Sequence, residues 1–114
     1  MTYVEAIHVK QNDCLYDLPL QCQDADGNGE SIAGYATIKL MVYQTGESSC
    51  KLETTENISV TDETTGKISY EVQDGDFDEA GSYRVEIEVT FDSGKVLTYP
   101  NFRIEVDAEA PESA

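Results

Sequence analysis

Tryptophan is absent from the 114 residues, histidine occurs once, proline three times, and lysine and arginine together only seven times. Each scarcity excludes a class of function. A lone histidine, His8, read as a surface or edge position in a first strand, offers neither a multi-histidine metal site nor a Ser–His or Cys–His nucleophile pair, so no enzyme activity and no cofactor are expected. Seven cations against 23 acids leave a net charge of −16 and a pI near 4.1. Such a chain repels phosphate backbones and anionic bilayers, which excludes nucleic-acid and membrane partners. Cys14, Cys22 and Cys50 are odd in number and lack C-x-x-C spacing, which argues for free thiols over a disulfide framework or a zinc knuckle. No apolar run approaches a membrane span, and the first residues carry no basic stretch followed by an apolar one. The chain therefore reads as made and kept in the cytosol. Periodicity of 3.6 is missing over every ten-residue window, which excludes long amphipathic helices.

What is present is alternation. Leu, Ile, Val and Phe supply 25 of the 114 residues, about 22% and just above the roughly 20% below which charged chains stay disordered. One small domain with its own core is expected. Period two is clearest at Cys14, Tyr16, Leu18, Leu20 and Cys22, read as one strand over 14–22 in which Cys14 and Cys22 share a face. At about 3.3 Å per residue those two sulfurs would lie roughly 26 Å apart and could not bond to each other. Further strands follow at Ala36–Val42, Ile68–Val72, Tyr83–Phe91 and Val96–Val106, with weaker ones at Tyr3–Val9, Cys50–Glu53 and Asn57–Thr61. Turn residues punctuate them at Asp26–Gly29, Thr45–Gly46, Thr65–Gly66 and Asp92–Gly94. Seven or eight short strands so spaced predict an all-β, antiparallel sandwich. Pro19 and Pro100 predict edges or bulges, because proline cannot donate to a ladder. The expected division is an extended N-terminal arm or strand at 1–9, the sandwich at 10–106 and a flexible acidic tail at 107–114.

Glu79-Ala80-Gly81-Ser82-Tyr83-Arg84-Val85 looks like the immunoglobulin pattern in which a tyrosine hydroxyl pins the corner before strand F. Tyr83 would be that tyrosine, Gly81 the small residue before it, and Val85 stands where the disulfide cysteine would be. This predicts an Ig-like sandwich held by apolar packing without a disulfide.

Asn12-Asp13, the strand ending at Gln23, Asp24–Asn28, Ile32–Ala36, Thr65–Tyr70, Ala80–Arg84 and Phe91–Lys95 together resemble the N-terminal Ig-like domain of phage baseplate upper proteins, over roughly residues 10–106. The resemblance implies a β-sandwich of a tail or baseplate component that anchors to the virion, with structural rather than catalytic motifs. The helical or fibre-forming extension of that family is not found after the sandwich. The expectation is a multi-copy or homo-oligomeric virion structural or adaptor protein of tail, baseplate or capsid, made in the host bacterial cytoplasm, whose partners are other virion proteins. The alternative is an Ig-like adhesion or carbohydrate-binding module of a bacterial surface protein.

Three segments are candidate sites. Asp24, Asp26, Asn28 and Glu30 copy the first half of a calcium loop, but Tyr35 stands where its bidentate glutamate belongs, so a plain turn is the preferred reading. Asp74, Asp76, Asp78 and Glu79 form an acidic loop that reads first as solvated, with a divalent ion or a basic partner surface, whose approach it would steer, as the functional alternatives. Tyr3, Val4, Ile7 and Val9 of the N-terminal arm are expected to add a strand to a neighbour's sheet.

Overall fold

Strand forms wherever β-branched and aromatic residues carry the alternation, in a computed structural model that describes residues 6–24, 26–45 and 50–108. The strands are β1 (Ala6–Lys10), β2 (Asp17–Gln21), β3 (Tyr35–Gln44), β4 (Cys50–Thr54), β5 (Ile58–Asp62), β6 (Lys67–Glu71), β7 (Gly81–Phe91) and β8 (Val96–Asp107). They make two sheets, ordered β1-β8-β7-β3-β4 and β2-β6-β5. All pairs are antiparallel except β1 with β8, which run parallel with Ala6 opposite Arg103 and Lys10 opposite Asp107.

β7 is the central strand of the larger sheet. Tyr83, Val85, Ile87, Val89 and Phe91 are buried, while Ser82, Arg84, Glu86, Glu88 and Thr90 alternate with them towards solvent. Ile38, Leu40 and Val42 of β3 join them, and Leu18, Leu20, Ile68 and Tyr70 close the core from the smaller sheet. Among the described residues every buried side chain is apolar or aromatic. At the start of β7 the Tyr83 hydroxyl donates to the Glu79 carbonyl at 2.8 Å, and the Tyr83 ring meets Phe77 edge-on at 6.2 Å. That is the tyrosine corner the sequence predicts. Gly81 enters it at φ 144°, a conformation open to glycine, and Val85 is fully buried in the cysteine's place. The result is an Ig-like sandwich in which Cys14 and Cys22 are free thiols.

The prolines sit as their chemistry requires. Pro19 lies on β2, an edge strand of the smaller sheet, opposite Ser69. Pro100 falls where Val85 pairs with Phe102 but Ile87 with Tyr99, so β8 bulges there, beyond the reach of β1.

Two expectations are corrected. The strand read over 14–22 begins only at Asp17, because Leu15 adopts a left-handed φ of 60° that turns its side chain out to 69% exposure. Parity is lost across that residue, so Cys22 is fully buried whereas Cys14 is only half-buried. The sandwich also extends past 10–106 at both ends. Residues 6–10 pair along β8, Val9 is buried and Ile7 packs on the core, so the alternating apolar side chains of this segment serve its own sheet. Asp107 closes β8, and the Gln11 amide donates to its carbonyl at 2.8 Å. Residues 109–114 of the expected tail, and the side chain of Cys50, lie outside what is described.

Ile87→Ala should lower the unfolding free energy by about 2 to 5 kcal/mol, since transfer and cavity terms add at a fully buried position; a urea midpoint that barely moves would contradict this packing. Alkali is a second probe. Burial pushes the Cys22 thiol up to about 12, and burial followed by the nearby Cys22 and Glu30 pushes the Tyr99 phenol to about 12. Tyr16, Tyr70 and Tyr83 are raised too, first by burial. Their ordinary values are 9.0 for the thiol and 10.0 for the phenols. Above about pH 9 the unfolded chain therefore holds fewer protons than the native one, and stability falls as pH rises. Urea midpoints should be highest below about pH 9 and drop steadily towards pH 12, with Cys22 protected from thiol reagents until unfolding and Cys14 reacting earlier.

Candidate functional site

The acidic loop between β6 and β7 uses its carboxylates to fold itself. Asp76 is half-buried, and its Oδ2 accepts the Tyr70 hydroxyl at 2.5 Å and the Gln73 amide at 2.8 Å. Tyr70 is 1% exposed, so this carboxylate satisfies a phenol that water does not reach. Asp78 accepts Lys51 Nζ at 2.5 Å, which lowers the Asp78 carboxyl below its usual range and raises the Lys51 ammonium. The carbonyls of Asp78 and Glu79 take the Gln11 side-chain amide and the Tyr83 hydroxyl. Between them Phe77 is buried. Of the four acids, Asp74, Asp78 and Glu79 are exposed, and they do not converge with Asp76 on one point.

The loop that copies half a calcium site closes as a turn. Asp24 Oδ1 accepts the amides of Asp26 at 2.9 Å and Asn28 at 3.0 Å, and the Asp24 amide donates to the Asn28 carbonyl. Gln23 bridges Gly29 across it. The next residue turns away, because the Glu30 amide bonds the Cys22 carbonyl while the Cys22 amide bonds Gly66. Gly66 makes that approach possible: its φ is 73°, and a Cβ there would collide with the Glu30 carbonyl. Among the described residues no three His, Cys, Asp or Glu side chains are placed to hold a metal ion.

Of the proposed arm, Tyr3 and Val4 lie outside the described residues, while Ile7 and Val9 are committed to the core. Their side chains face this chain's own core, while β1 itself is an edge strand of the larger sheet. Tyr83, Gly81 and Val85 stand where the corner motif places them.

Most of the chain's few cations are engaged with its own acids or rings. Lys39 pairs with Glu88 at 3.7 Å, Arg84 with Glu86 at 3.1 Å and Arg103 with Glu105 at 3.1 Å, and the Arg84 guanidinium lies 4.3 Å from the Tyr43 ring centre. Exposed pairs of this kind add about 0 to 1 kcal/mol each and mainly balance the sheet face.

Among the shallow grooves of the described residues are two that the sequence reading does not anticipate. One, of about 440 Å³, lies at the loop end between Glu30–Gly34 and Phe91–Leu97. The other, of about 280 Å³, opens on the side between β3 and β5. A signal for the second exists in the sequence, since the short strand read at 50–53 cannot cover the whole of the long one before it.

Replacing Asp76 with Ala should cost about 1 to 3 kcal/mol, because it strands a buried phenol, whereas Asp74→Ala should stay within about 0.5 kcal/mol. Equal effects in thermal or urea unfolding would show that the loop is not built on Asp76.

No protein-family model matches the chain, and no curated protein matches it. Among solved structures it superposes on CopC from Methylosinus trichosporium OB3b with a TM-score of 0.51 at 14% identity, covering 93% of this chain and 87% of that one. It also aligns with murine CRIg at a TM-score of 0.42 and 14% identity, over 93% of both chains. The likeness to CopC, at that identity, is one of fold alone.

Proposed function

We propose that the chain is a phage virion structural or adaptor protein of tail, baseplate or capsid that acts in several copies by docking to other virion proteins. One observation carries the reading. The residues of the resemblance fall, in order, on the joints of a single sandwich: Asn12 at φ 68° between β1 and β2, Gly34 at φ 84° before β3, Gly66 between β5 and β6, Tyr83 at the corner, and Gly94 at φ 90° in the β7–β8 hairpin. A whole domain of that kind is what the resemblance requires. The charge of −16 supports docking onto a less acidic protein surface.

The loop-end groove favours the adhesion or carbohydrate-binding alternative through the hydrogen-bonding groups of Glu30, Ser31, Asp92 and Ser93. Its aromatic residue argues the other way. Phe91 is 9% exposed and Lys95 Nζ lies 4.9 Å from its ring centre, so no open face is left for a sugar to stack on.

Mass spectrometry of purified particles of the phage that carries the gene should find the chain in multiple copies relative to the major capsid protein. Its absence from intact virions would refute the reading.

A further inference from the structure

β3 runs for ten residues, but β4 has five and pairs only with Leu40–Tyr43. After Thr54 the chain crosses to the smaller sheet, where β5 is the edge strand. Tyr35 to Lys39 are held on one side by β7, with Ile38 opposite Val89, and have no strand on the other side among the described residues. Two edges, one from each sheet, thus flank the groove lined by Tyr35–Ile38 of β3 and by Thr55, Ile58 and Val60. Ile58 and Val60 are half-buried against the core, and Tyr35 is 36% exposed. The bulge at Ala36 marks the outer limit of regular pairing.

Charge selects the occupant. The segments that border it carry Glu56 and Glu63, while Lys39 is paired with Glu88 and Lys67 stands opposite Asp62. A second copy bearing −16 is repelled, and a cationic segment is attracted. We propose that this open side is a strand-addition site for an extended segment of a partner protein, apolar at alternate positions and bearing lysine or arginine between them. The added backbone bonds along Tyr35–Lys39, its apolar side chains enter over Ile38, Ile58 and Val60, and its cations meet the acidic border. The proposal rests on the docking reading and places a contact at the edge of β3.

The probe is a capped octapeptide alternating valine with lysine, titrated into the isotope-labelled full chain at about 0.15 M salt and followed by amide shifts. Shifts should concentrate at residues 35–39 and 58–62. A serine–lysine peptide of equal charge should bind at least about tenfold more weakly, and Ala36→Arg or Thr37→Arg, both at exposed positions, should weaken the valine–lysine peptide by about tenfold. The proposal is overturned by no binding, by shifts centred on 74–79, by equal binding of the two peptides, or by folded arginine variants that bind unchanged. Binding at this edge by a chain missing from virions would remove the virion reading and leave the site. A virion protein that does not bind the peptide would do the reverse.

Discussion

The register of β7 is the constraint on which the sandwich depends. A slip of one residue would withdraw Tyr83, Val85, Ile87, Val89 and Phe91 from the core and put Ser82, Arg84, Glu86, Glu88 and Thr90 in their place. The Tyr83 hydroxyl on the Glu79 carbonyl sets where the strand starts, and the hairpin bond from the Phe91 amide to the Lys95 carbonyl sets where it stops. Pinned at both ends, β7 aligns β3 along ten residues and β8 along its bulged length. The smaller sheet then needs only complementary apolar faces to close over it.

The same economy governs the charge. A domain with seven cations and 23 acids has no general supply of counter-charge, so individual carboxylates are put to structural use. Asp76 serves the buried Tyr70 phenol, Asp24 serves its own turn and Asp78 serves Lys51. What remains exposed is a diffuse acidic surface, which under the proposed docking would attract a basic partner at long range. In that proposal the contact geometry would come from backbone left open at strand edges. This is why the docking reading turns on where β4 departs from β3 and not on the acidic loop.

Much of the architecture was legible along the chain because side chains in a strand alternate whatever their tertiary neighbours are. The alternation at 36–42 and 83–91, the hairpin at Asp92–Gly94, the corner at Tyr83 and the demand of Pro100 for a bulge are all local, and each appears where the residues place it. The Asx-type turn at Asp24 is local as well.

What the sequence could not carry is which edge lies beside which. Ile7 and Val9 have the same alternation whether they pair with a neighbour or with β8, and only the fold, by bringing the last strand alongside the first, assigns them to the core. Leu15 breaks the parity of 14–22 through a single positive φ that a non-glycine residue does not advertise. The open side depends on β4 leaving the sheet at Thr54 and β5 joining the other one. Composition and period thus determined a two-sheet, disulfide-free Ig-like domain of strongly acidic surface, because they are properties of residues and their immediate neighbours. The free edge, the buried partner of Asp76 and the fate of the N-terminal strand were decided by tertiary structure, because each depends on backbones distant in sequence meeting within hydrogen-bond reach.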